Sequence, residues 1–159
     1  MTRALIVVDV EEELCGGGAE RAGAIAELIR GPEREGWARV IAALGVGAGR
    51  GAYGRVVDEV FSTGGNSGSP SGFEGFSEDG TPLADWLHDR GVDAVDVVGP
   101  AVDHGVRATA LDAVRAGFAT RVLLDYTAGL APRSTREAID ELQDAGVELT
   151  GRPVMAAAI

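Results

Sequence analysis

The chain contains no lysine: all fourteen of its basic residues are arginine. Catalysis through a lysine, whether as base, Schiff base or ammonium donor, is thereby excluded. A single cysteine, Cys15, rules out an intrachain disulfide. Two histidines, His88 and His104, are too few for a His-rich metal centre, so only a site built from Asp and Glu stays open, and no metal or other cofactor is expected. Aromatic residues make up 5% of the chain against 45% hydrophobic residues in all, so the core must be aliphatic. Positive charge is scarce too. The net charge of −11 argues against nucleic acid and against anionic lipid, both of which require a basic surface. There is no long apolar run and no leader-like segment, which points to a soluble cytoplasmic protein whose partner is a small molecule.

What is present is an alternation of apolar strands and amphipathic helices. Residues 1–159 read as a single domain without internal repeats. Ala4–Asp9 (ALIVVD) is a continuous apolar run ended by an acid, the pattern of a central parallel strand buried on both faces. Ala19–Arg30 places Ala22, Ile25, Ala26 and Ile29 on one helical face. Strands follow at Arg39–Leu44 and Arg55–Phe61, with a glycine-rich loop between them that carries Arg50 and Tyr53. Ser62–Gly80 reads as a long functional loop, Pro82–Asp89 as a short helix and Val92–Val98 as a fourth strand. The turn Gly99–Val106 then opens a helix running from Asp103 to Ala116. Arg121–Asp125 and Val147–Thr150 are the last two strands, and Ser134 with Glu137 forms a capping box for the helix between them. Phe73 and Trp86 read as core. The small apolar tail to Ile159 fits a homodimer. The predicted architecture is a doubly wound α/β fold with a six-stranded parallel sheet, whose ligand site lies at the carboxyl ends of the strands.

Two blocks carry a resemblance. One is ALIVVDVEEELCGGG; the other runs from SGFEGFSEDGTPLADWLHDRGVDAVDVVG through DHGVRATALDAVRAGFATRVLLDYTAGL. Together they closely resemble bacterial nicotinamidases, of the isochorismatase-like hydrolase superfamily. The resemblance implies a six-stranded parallel sheet and an Asp–Lys–Cys triad beside a metal held by Asp and His. Asp9 matches the triad aspartate. The D-x-C-V turn of the family reads Asp103-His104-Gly105-Val106, so Gly105 stands at the nucleophile position. Thr63 is the match for the lysine, and Gly45-Val46-Gly47 stands where the metal-binding D-x-H belongs. The cysteine that the family carries near Cys15 is not its nucleophile.

Isochorismatases resemble this chain in having glycine at the nucleophile position, and they work by proton transfer from the matching aspartate. The expectation is therefore an enzyme other than a nicotinamidase, lacking both metal and covalent nucleophile. Asp9, protonated in an apolar cleft, would act as general acid. The N–H groups of Ala101 and Gly105, which in the family follow a cis peptide, would form the oxyanion hole. The substrate would be a small carbonyl- or enol-bearing metabolite that is hydrolysed, cyclised or isomerised. Glu13, Tyr53, Thr63, Asn66 and His104 are candidate substrate contacts, with Ser62 as an alternative to its neighbours. The competing expectation is a catalytically dead protein that binds a ligand or a partner.

Overall fold

The computed structural model describes residues 1–8, 18–44, 57–63, 71–100 and 102–155. The first strand, β1 (Arg3–Val8), lies at the centre of the sheet, and its residues Ala4–Val8 are at most 1% exposed. Its alternating side chains divide the core in two. Ala4, Ile6 and Val8 face a layer that includes Leu83, Leu87, Ala110 and Leu142. Leu5 and Val7 face Ile25, Leu28, Ile29 and Trp37. An uninterrupted apolar strand is what two covered faces require.

Around it follow α1 (Gly18–Arg30), β2 (Arg39–Leu44), β3 (Glu59–Thr63), β4 (Gly75–Phe76) and α2 (Leu83–Asp89). After these come β5 (Ala94–Gly99), a π turn (Val102–Val106), α3 (Arg107–Arg115) and β6 (Ala119–Gly129), then α4 (Pro132–Asp144), β7 (Glu148–Thr150) and β8 (Val154–Met155). The sheet order is β4-β3-β2-β1-β5-β6-β7, with β8 paired to β6. All pairings are parallel except β3 with β4. The doubly wound α/β class is as expected. Among the described residues the sheet has eight strands rather than six, because two-residue strands are added at β4 and β8.

Several boundaries differ from the sequence reading, each for a local reason. Ser62 and Thr63 extend β3 because β4 gives them partners, Phe76 and Gly75. The helix expected from Asp103 begins instead with a wider π turn, and α3 proper starts at Arg107. The expected capping box is absent. The N-cap of α4 is Ala131, Glu137 pairs with Arg133, and the Ser134 hydroxyl is turned toward Asp103. Trp86 is core as expected; Phe73 is half-buried and packs on the core. Among the described residues, no helix is long and apolar enough to cross a membrane.

Candidate active site

The strand order turns outward in both directions from the β1–β5 pair, with β2 beyond β1 and β6 beyond β5. In open α/β sheets a crevice forms at such a reversal, outside the carboxyl ends of the strands. Val8, Leu44, Thr63 and Gly99 all end strands on this edge. Register holds them level: Val8 pairs with Ala43, Leu44 with Ser62, and Val7 with Val98.

Gly99 closes the β1–β5 seam. A side chain there would collide with the Val8 carbonyl oxygen and lie 3.1 Å from Val106 Cγ2. Only glycine allows the end of β5 to approach β1 this closely. The π turn follows directly. Val102 and Val106 are buried in the core and anchor it; Gly105 is buried between them and α3, while His104 is exposed. π turns recur at functional sites. This one forms the first turn of the helix that continues as α3, and the leading N–H groups and dipole of a helix favour developing negative charge.

Asp103 fixes the turn from the far side. Its carboxylate accepts the Leu130 N–H at 3.1 Å, the Ala131 N–H at 3.2 Å and the Ser134 hydroxyl at 2.6 Å, with Thr135 Oγ1 at 3.4 Å. Burial pushes this carboxyl group upward, but the Ser134 hydroxyl and the backbone N–H groups outweigh it and hold it below the ordinary 3.8. A depressed carboxylate contributes stability that is present above its unfolded value and lost as pH falls through its folded value. Asp103→Asn is thus expected to lower stability by about 1 kcal/mol at neutral pH, a figure reduced for solvent exposure. In urea titrations the gap from wild type should close as pH drops below 3.8.

The approach to the edge from β3 is also pinned. The Gly72 N–H donates to Thr109 Oγ1 on α3 at 2.9 Å, and a Cβ on Gly72 would sit 2.7 Å from the Ala43 Cβ. Beyond it, Asp79 accepts from the Ser77 and Thr81 hydroxyls, which lower its carboxyl group. The stretch expected to be a long loop is thus built structure from Ser71 onward.

Of the candidates named from sequence, the structure brings Thr63, His104 and Gly105 to the carboxyl edge. Asp9, Glu13, Tyr53, Asn66 and Ala101 lie outside the described residues, as do Cys15, Arg50 and the peptide bond expected to be cis. Among the described residues, no three of His, Cys, Asp and Glu converge on a point. Sequence reasoning missed Asp103 as the clamp of the turn. Its partners lie 27 to 32 residues away, and the one usable signal was an acid directly after the strand-end turn.

An α/β sheet with its crevice at the β1–β5 reversal and a turn closed by glycine into α3 defines a doubly wound α/β protein, and comparison with known proteins gives its family. The isochorismatase domain model matches residues 69–153, and the chain belongs to that family. It is 57% identical over 93 residues to the nicotinamidase/pyrazinamidase of Mycobacterium tuberculosis, covering 58% of this chain and 50% of that protein. It is 37% identical over 71 residues to the Escherichia coli nicotinamidase, covering 43% of this chain and 33% of that protein. The chain therefore spans half or less of the length of these curated relatives. Among solved structures, the Pyrococcus horikoshii pyrazinamidase in complex with zinc superposes with a TM-score of 0.75 at 26% identity, over 94% of this chain and 99% of that one. The yeast nicotinamidase superposes with a TM-score of 0.74 at 18% identity, over 94% and 99%, which shows the shared fold.

These findings correct the functional expectation. An enzyme outside the nicotinamidase activity, or a catalytically dead binder, does not stand against 57% identity over 93 residues to a nicotinamidase/pyrazinamidase. The expectation weighed the side chains at Gly105, at Thr63 and at Gly45-Val46-Gly47 above the relatedness of the surrounding sequence.

Proposed function

We propose that the chain hydrolyses the carboxamide of a small nitrogen heteroaromatic, nicotinamide or pyrazinamide, to the carboxylate and ammonia. The observation that carries this is the 57% identity to the Mycobacterium tuberculosis enzyme. The geometry supports it with a backbone-lined turn at the carboxyl edge of the sheet.

In this reading the ring lies over that edge, contacted by Thr63 and His104, with Glu13, Tyr53 and Asn66 as further contacts. The N–H groups of Ala101 and Gly105 receive the negative charge that develops on the carbonyl oxygen. Asp9 takes a proton from the attacking group and returns it to the departing nitrogen. The C–N bond breaks, a C–O bond forms, and ammonia leaves with that proton. That bond exchange is complete in one stage when water attacks directly; a route through Cys15, the one thiol in the sequence, would first form a C–S bond as the C–N bond breaks and then exchange C–S for C–O with water. The apolar tail supports a homodimer, which size-exclusion chromatography with light scattering reads directly.

The test is ammonia release from nicotinamide and pyrazinamide. Wild type should release ammonia above the spontaneous rate, and Asp9→Asn should lower kcat by about 100-fold or more. Loss of activity in Cys15→Ala assigns the attack to the thiol; retention assigns it to water. Absence of turnover on both amides by folded protein would overturn the reading.

A further inference from the structure

On the opposite face of the sheet from α3, a cavity of about 480 Å³ opens between the end of α1 and β6. It has no residue in common with the carboxyl-edge turn. Its apolar walls are Leu28, Trp37, Leu123 and Tyr126, and its charged end is formed by Arg3 and Arg121. Both arginines are held by one carboxylate. Arg3 Nη1 donates to Asp96 at 2.6 Å; Arg121 donates through Nε at 2.9 Å and Nη2 at 2.6 Å. The Trp37 indole completes the set at 2.9 Å.

Asp96 is 0% exposed and its single negative charge faces two guanidinium groups. The other nearby acids are Glu33 at the cavity mouth and Glu148 beside Arg121. Both are exposed, so water and salt screen them; the two arginines are screened only in part, at 25% and 30% exposure, and together carry one positive charge more than Asp96 offsets. Each guanidinium carries five N–H donors in a fixed fork. Among the described residues, Arg3 Nη2 reaches only the Met1 sulfur at 4.0 Å and Arg121 Nη1 has no hydrogen bond. The remaining donors are therefore preorganised by Asp96 and unspent.

The geometry points to a second binding site here, for a small aromatic carboxylate. Its carboxylate meets the free N–H groups of Arg3 and Arg121, and its ring lies among Leu28, Leu123, Trp37 and Tyr126. Charge-assisted bonds to a guanidinium fork suit a planar carboxylate, and an apolar pocket with a few fixed polar groups is the usual form of a small-ligand site.

The probe is benzoate, titrated into the full chain by NMR or calorimetry, with benzamide as its uncharged counterpart. Two variants separate the contributions. Arg121→Gln removes the donor. Gly36→Phe puts a ring at the cavity wall while leaving Asp96 and both arginines in place, since Gly36 lines the cavity and a Cβ on it meets nothing within 4 Å beyond its chain neighbours. Benzoate should bind wild type with Kd of about 1 mM or tighter, and benzamide, Arg121→Gln and Gly36→Phe should each weaken binding about tenfold or more. Where Arg121→Gln does not fold, Gly36→Phe and benzamide decide. Absence of benzoate binding, equal binding of benzamide, or unchanged affinity in Gly36→Phe would overturn the proposal.

Discussion

Asp96→Ala is expected to cost about 3 kcal/mol or more of unfolding free energy, the scale of a buried ion pair broken from one side. Asp96 lies in the middle of β5 with no exposure. It joins β1 through Arg3, β6 through Arg121, and the segment after α1 through Trp37. Removing it strands the buried indole N–H and leaves two guanidinium groups facing each other. Those groups are 25% and 30% exposed, so hydration recovers part of the loss, which keeps the figure at the lower end. Removing either arginine alone should cost less, because Asp96 keeps the other. Urea denaturation of Asp96→Ala beside Arg3→Gln and Arg121→Gln reads this order. Equal stabilities for all three would mean that the cluster is not the joint described.

Gly99→Val is expected to be at least as damaging, by about 3 kcal/mol or more, and to disturb the site as well as the fold. The obstacle is backbone: the new Cβ meets the Val8 carbonyl oxygen, which cannot swing aside as a side-chain tip would. To accommodate it, β5 must separate from β1 at the edge where Val8 precedes Asp9. Gly36→Val, at a glycine with open space around it, serves as the control. Thermal unfolding should show a large drop for the first and little change for the second. A Gly99→Val protein as stable as wild type would contradict the close approach on which the site geometry depends.

Much of the sheet was legible because its signal is local. The apolar run of β1 could be read as a central strand since burial on both faces leaves no polar alternation. The two-residue strands β4 and β8 are too short to carry a period and exist only through pairing with β3 and β6. The capping box failed for a related reason. Ser134 and Glu137 have the right spacing, but α4 starts earlier, with Ala131 at its N-cap, and the Ser134 hydroxyl donates instead to Asp103, 31 residues earlier. Asp96 was invisible as a joint because its guanidinium partners lie 93 and 25 residues away.

The site was half legible. Strand ends and the turn into α3 mark the crevice on general grounds, and the quoted sequence blocks carried the family. The activity was misjudged by counting missing side chains one at a time, at Gly105, at Thr63 and at Gly45-Val46-Gly47, while the identity to a nicotinamidase/pyrazinamidase extends over 93 residues. Relatedness on that scale is a property of a whole surface and core. No single position displays it.

The most direct measurement is the fate of nicotinamide itself, followed by proton NMR during prolonged incubation with the purified, folded chain. The account predicts conversion to nicotinate with one ammonia per turnover, abolished by heat denaturation of the protein. Nicotinamide left intact by protein that melts cooperatively would contradict it.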